Sequence, residues 1–204
     1  MAESFDASAV NKTRRGWLNG VTGAFAAVGA AFAAVPFVRS FNPSERALAV
    51  GAPVEVKIDD LGPDELRVVK WRGKPVWIFR RDKRALQSLD VVEQEQKLAD
   101  PESKYSTQPG YVDMQTRSRK KEVAVIVGVC THLGCAPGYK PSPNDPSVGA
   151  DWQGGFLCAC HGSKFDLAGR VYKHMPAPTN LEVPPYRFKD DVTIVIGEDS
   201  EGVA

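Results

Sequence analysis

Two short boxes constrain this chain more than any other feature: C-x-H-x-x-C at residues 130–135 and C-x-C-H-G-S at residues 158–163. Between them they hold all four cysteines and two of the three histidines of the 204 residues. Thiols and imidazoles clustered this tightly are read first as metal ligands or redox groups. Each box follows an apolar lead-in. Residues 123–129 form a continuous apolar run suited to a strand buried on both faces, and Gly154, Gly155, Phe156 and Leu157 precede the second box.

At this level two metals fit the donors. Six Cys and His side chains are enough for a closed tetrahedral zinc cage, and zinc is a common structural metal. Zinc modules, however, usually space two cysteines by two to four residues, whereas one residue separates Cys130 from His132 and none separates Cys160 from His161. A 2Fe–2S cluster needs two ligands per iron; thiolates suit the iron that stays ferric and neutral imidazoles the iron that is reduced.

Around the boxes the chain divides into segments. No charged residue occurs from Gly16 to Val38, a stretch rich in Ala, Val and Phe. As a helix it spans about 34 Å, enough to cross a bilayer core of about 30 Å. Residues 16–38 are therefore expected to be a transmembrane anchor. Residues 1–15 would form a cytoplasmic N-terminus, an orientation that Lys12, Arg14 and Arg15 favour. Thr13, Arg14, Arg15, Gly16, Trp17 and Leu18 look like a twin-arginine export signal. Ala31, Phe32 and Ala33 would also suit cleavage of a signal peptide, and retention as an anchor is the preferred reading. Residues 39–53 lack strand alternation and are interrupted by Pro43, Gly51 and Pro53, so they read as a flexible tether.

From Val54 the pattern is β. Residues 54–58 alternate, residues 67–71 and 76–79 flank a turn at 72–75, and residues 192–196 form a closing strand. Residues 91–121 are polar and predict a short helix and a long surface loop. With 26 basic against 25 acidic residues, the net charge of +1 speaks against nucleic-acid binding through bulk charge.

The paired boxes resemble the Rieske family, and specifically its quinol-oxidising branch. The likeness runs from the apolar segment to Tyr186. It includes Ser163, Lys164, Phe165, Asp166, Gly169 and Arg170 after the second box, a proline loop at residues 175–178, and residues 180–184, which fit the return strand of cytochrome bc complexes. The implied fold is mainly β: a Rieske-type antiparallel β sandwich over residues 54–204, with a small cluster-binding subdomain at about 128–180, plus one N-terminal transmembrane helix. The implied cofactor is one 2Fe–2S cluster, with Cys130 and Cys158 on one iron and His132 and His161 on the other. Cys135 and Cys160 match the family's disulfide, which implies an oxidising compartment.

Other roles follow from the same likeness. Ser163 matches a serine whose hydroxyl bonds a bridging sulfide and raises the potential. Phe165 stands where many members have a tyrosine, so one hydrogen-bond donor is missing and a lower potential is expected. Leu133 matches a docking residue at the tip, and Pro176 belongs to the loop covering the cluster. His161 is the expected catalytic contact to quinol. His174 has no partner at ligand spacing and reads as a surface loop residue.

The resemblance implies the iron–sulfur subunit of a ubiquinol–cytochrome c reductase, a quinol-oxidising translocase. It would take electrons from ubiquinol and pass them to a membrane-anchored c-type cytochrome, contributing to proton translocation. Implied partners are cytochrome b, that c-type cytochrome, ubiquinol and membrane lipid in a dimeric complex. The implied location is the bacterial inner membrane, single-pass, with the cluster domain in the periplasm. Rival readings are the Rieske relay subunit of a periplasmic oxidase such as arsenite oxidase, a soluble Rieske ferredoxin, and a zinc-stabilised binding module.

Overall fold

A computed structural model describes residues 11–199 and 202–203, in two compact units divided after Leu48. The first ten residues of the expected cytoplasmic segment lie outside the described part.

Helix α1 spans Lys12–Ser40, so it begins four residues before the expected anchor and ends two after it. It starts where it does because the Asn11 side chain accepts the Arg14 N–H at 3.0 Å, a cap on the first turn. Its most apolar window has a mean hydropathy of 1.9, and none of its residues is buried. By length and composition it is able to cross a membrane.

The tether expectation needs correction in one respect: helix α2, Glu45–Gly51, occupies the middle of residues 39–53. Pro43 breaks the preceding helix, but Ser44 starts a new one, its hydroxyl accepting the Ala47 N–H at 3.2 Å. Irregular chain remains on both sides of this short helix.

The second unit is built on antiparallel sheets. Strands β1 (Val54–Lys57), β2 (Leu66–Trp71), β3 (Lys74–Arg80) and β4 (Val123–Val127) precede the first box. Strands β5 (Gly138–Lys140), β6 (Gly155–Cys158) and β7 (Ser163–Asp166) surround the second. Strands β8 (Tyr186–Phe188), β9 (Thr193–Ile196), β10 (Glu198–Asp199) and β11 (Gly202–Val203) follow. Three sheets have the orders β2-β3-β4, β1-β9-β8 and β5-β6-β7, and β10 pairs with β11 as a hairpin beyond the expected closing strand.

The β2-β3-β4 sheet is the middle layer, and the alternation of its side chains explains why. Val76, Ile78, Val125 and Val127 pack with Val56, Tyr186, Ile194 and Ile196 on one face. Trp77, Phe79, Ala124 and Ile126 pack with Phe156, Phe165 and Leu167 on the other. All five residues of β4 are buried, as the unbroken apolar run predicts. The sandwich thus has the cluster-bearing sheet as a further layer.

Three local expectations are corrected. The β2–β3 turn is only Arg72 and Gly73, both at positive φ (+48° and +77°), while Lys74 and Pro75 belong to β3. A two-residue turn of this kind matches the twist of a hairpin. Helix α3 spans Lys83–Gln94, earlier than expected, capped by Asp82 accepting the Ala85 N–H at 2.7 Å. Its buried Ala85, Ser88, Leu89 and Val92 follow helical spacing. Residues 180–184 form no strand. Glu182 O accepts from Val127 N while Val183 N donates to the Thr107 carbonyl, so no single ladder forms, and Pro184 and Pro185 have no N–H to continue one.

Candidate metal centre

Each box folds into a tight turn with a cysteine at its base and a histidine near its tip. In the first, the Gly134 N–H donates to the Cys130 carbonyl at 3.0 Å, and the Cys130 N–H donates to the Cys135 carbonyl at 2.7 Å. In the second, Cys158 ends β6 opposite Ser163 of β7, and the Gly162 N–H donates to the Cys158 carbonyl at 2.8 Å. Both turns place a glycine at positive φ, Gly134 at +82° and Gly162 at +77°, where side chains are strained.

The turns converge. A disulfide joins Cys135 to Cys160, with Cα atoms 6.7 Å apart. Cys130 and Cys158 remain as free, buried thiols. The sulfurs of Cys135, Cys158 and Cys160 lie within 4.8 Å of one another, but two of these already form the disulfide and cannot serve as thiolate ligands. The centroids of the His132 and His161 rings lie 4.7 Å apart, edge to face with 87° between their planes.

The donor set fits a 2Fe–2S group held by two thiolates and two imidazoles. His132 Nδ1 is buried without a hydrogen-bond partner, which is costly for a free imidazole and expected of a metal-ligating nitrogen. Burial pushes the Cys130 thiol up from its usual range; the neighbouring Cys158 pushes the same way, while the His132 N–H and the Ser163 hydroxyl pull down. A bound cation is what makes such a thiol a thiolate.

The surroundings hold both turns in place. Ser163 is fully buried, and its hydroxyl accepts the Ala177 N–H at 3.0 Å, leaving its proton for the Cys130 side. The Thr131 hydroxyl donates to the Thr179 carbonyl at 2.7 Å. Residues 175–179 are therefore bonded to both boxes, with Ala177 buried and Pro176 exposed. Phe165 is fully buried and pairs with Phe156 across β6 and β7, with no hydroxyl to offer the thiols. At the tip, Leu133 is 71% exposed and His161 is exposed. His174 is exposed on a turn at φ +59°.

Two supporting residues escape a reading of the boxes. The Trp77 indole stacks on Phe156 at 4.6 Å and 13°, beneath the lead-in to the second box. A β-carbon at Gly128, two residues before Cys130, would lie 2.1 Å from the same indole. Trp77 is thus a shared floor for both lead-ins. The glycine near the end of the apolar run was the available signal, but nothing in the linear sequence pairs it with Trp77.

The profile of the Rieske [2Fe-2S] domain matches residues 52–186, and that of the Ubiquitinol-cytochrome C reductase Fe-S subunit TAT signal matches residues 5–44. A ubiquinol-cytochrome c reductase iron-sulfur subunit of Allochromatium vinosum is 52% identical over 193 residues, 95% of this chain and 92% of the relative. Its counterpart in Bradyrhizobium diazoefficiens is 39% identical over 190 residues, 93% of this chain and 97% of the relative. Among solved structures, a chain of a hyperthermophilic respiratory Complex III matches with a TM-score of 0.45 and 28% identity, covering 86% of this chain and 98% of that one.

Proposed function

The chain belongs to the family of Rieske iron–sulfur subunits of ubiquinol–cytochrome c reductase, and from that membership we propose that it oxidises ubiquinol and hands the electron to a membrane-anchored c-type cytochrome. The observation that carries this reading is the tip: two imidazoles set edge to face, one on an exposed turn, above two buried free thiols.

A 2Fe–2S group bound by Cys130, Cys158, His132 and His161 supplies a one-electron acceptor whose potential the imidazole ligands raise. The protein's part is binding, orientation and proton handling. His161 would hold iron through one ring nitrogen, and its exposure would leave the other able to accept the proton of a quinol hydroxyl. Leu133, 71% exposed and next to His132 in the chain, offers apolar contact to the wall of a quinol pocket in cytochrome b. The disulfide and the loop at residues 175–179 keep both turns in register while a partner docks.

Helix α1 and the signal profile over residues 5–44 fit a membrane-anchored bacterial Rieske subunit. We place the cluster domain in the periplasm, where the Cys135–Cys160 disulfide would persist. In this reading the subunit works beside lipid in a dimeric complex with cytochrome b and cytochrome c1, and release of the quinol proton contributes to translocation. Residues 39–53, including α2, would carry the domain between the two cytochromes. The relatives named above are reductase subunits, and the reading as a relay of arsenite oxidase is not favoured.

Isolation of the chain from solubilised membranes tests the assignment. Haems of cytochromes b and c should accompany it, with ubiquinol-dependent reduction of cytochrome c. Isolation with a periplasmic oxidase, and no quinol turnover, would overturn it.

A further inference from the structure

Behind the second cluster turn the domain buries three guanidinium groups, those of Arg81, Arg117 and Arg170. Arg170 is conventionally paired: its Nε donates to Asp166 at 2.7 Å and its Nη1 to Glu93 at 2.8 Å. Arg81 and Arg117 are different, because all of their hydrogen bonds among the described residues go to neutral oxygens. Arg81 donates to the Leu167 carbonyl, the Ser118 hydroxyl and the Lys121 carbonyl, at 3.0, 3.1 and 3.0 Å. Arg117 donates to the Gln108 side chain at 2.7 Å and to the carbonyls of Ala168 and Gly169 at 3.2 and 3.4 Å.

Each of the two also keeps a buried Nη2 with no hydrogen-bond partner. They flank one turn: the carbonyls they clamp are consecutive, and Arg81 bonds Ser118, the residue after Arg117. Neighbouring carboxylates are committed elsewhere. Asp166 accepts from the Ala168 and Arg170 N–H groups and from Arg170 Nε. Asp100 accepts from the Lys104 and Tyr105 N–H groups and from the Ser106 hydroxyl. Buried charge without an anion in contact is expensive, and so is an unmatched donor. Consistent with this, burial pulls both guanidinium groups down to about 10, with Asp166 only partly opposing, and both stay charged at neutral pH.

We infer that a small monovalent anion of the halide class is held between Arg81 and Arg117, against the turn at residues 167–169. A water molecule would satisfy the N–H groups but leave two buried guanidinium groups without an anion in contact; a bound anion supplies both. The site supports β7 and its following turn, and it is independent of the quinol chemistry proposed above.

The test uses the cluster-bearing full chain in detergent, equilibrated at constant ionic strength in chloride, bromide or the bulky anion isethionate. The apparent melting temperature, followed by visible circular dichroism of the cluster, should rise saturably by about 3–6 °C over 0–150 mM halide and not with isethionate. Arg81→Lys and Arg117→Lys should each remove that dependence. Bromide-grown crystals should show anomalous density within hydrogen-bond distance of both Nη2 atoms, a readout that does not require either variant to fold. A melting temperature that follows ionic strength alone, or water in place of bromide at that position, would overturn the proposal.

Discussion

The Ser163 hydroxyl is fully buried and accepts the Ala177 N–H, so it ties the proline loop to the base of the second box. Ser163→Ala would strand that N–H and remove a donor from the thiol side. The expected cost is about 1–3 kcal/mol of domain stability, with a midpoint potential lower by tens of mV, readable by thermal melting and by redox titration of the electron paramagnetic resonance signal. Phe165 gives the opposite experiment. A hydroxyl added by Phe165→Tyr would supply one hydrogen bond to the thiol side and raise the potential by roughly 20–60 mV, the electrical equivalent of about 0.5–1.5 kcal/mol. An unchanged or lower potential would remove Phe165 from the account of tuning. Gly128 carries a steric prediction: an added β-carbon meets the Trp77 indole at 2.1 Å. Gly128→Ala should cost about 1–3 kcal/mol and reduce cluster occupancy, because Trp77 also supports Phe156 before the second box.

At the scale of elements, the disulfide joins two turns that strands β4, β6 and β7 present at one end of the domain. It closes a loop with a sequence separation of 25, for which chain entropy gives about 3–4 kcal/mol. Replacing both Cys135 and Cys160 by serine should lower stability by about that much and speed thermal loss of the cluster. Unaltered melting would show that hydrogen bonds alone hold the turns. Much of this architecture was readable in advance. The apolar run before Cys130 is the fully buried β4, and the family resemblance named Cys135 and Cys160 as the disulfide that joins the two turns. What escaped depends on long-range packing. Helix α3 begins at Lys83 because its apolar stripe meets the second box's sheet, a face invisible locally. The family resemblance gave residues 180–184 as a return strand, yet their hydrogen bonds go to Val127 and Thr107 separately. The Arg81, Arg117 and Arg170 cluster is spread over 90 positions, so no window of sequence gathers it.

At the scale of the whole molecule, a helix able to cross a membrane and a cluster domain are joined by a segment that is helical only at Glu45–Gly51. The proposed domain travel would need the breaks around that short helix. Fusing α1 to α2 by alanine replacement of residues 41–44 should slow quinol oxidation at least about tenfold while leaving the cluster's spectrum intact. Unchanged turnover would remove the motion from the mechanism. The account as a whole rests on the donor set: Cys130 and Cys158 as buried free thiols, His132 and His161 as imidazoles set edge to face. Metal and spectroscopic analysis of the full chain from native membranes tests it most directly. About two irons per chain, no zinc, and a reduced resonance signal of low average g that disappears in His132→Ala and His161→Ala are expected. Zinc in the native protein, or an iron signal that survives either substitution, would contradict it.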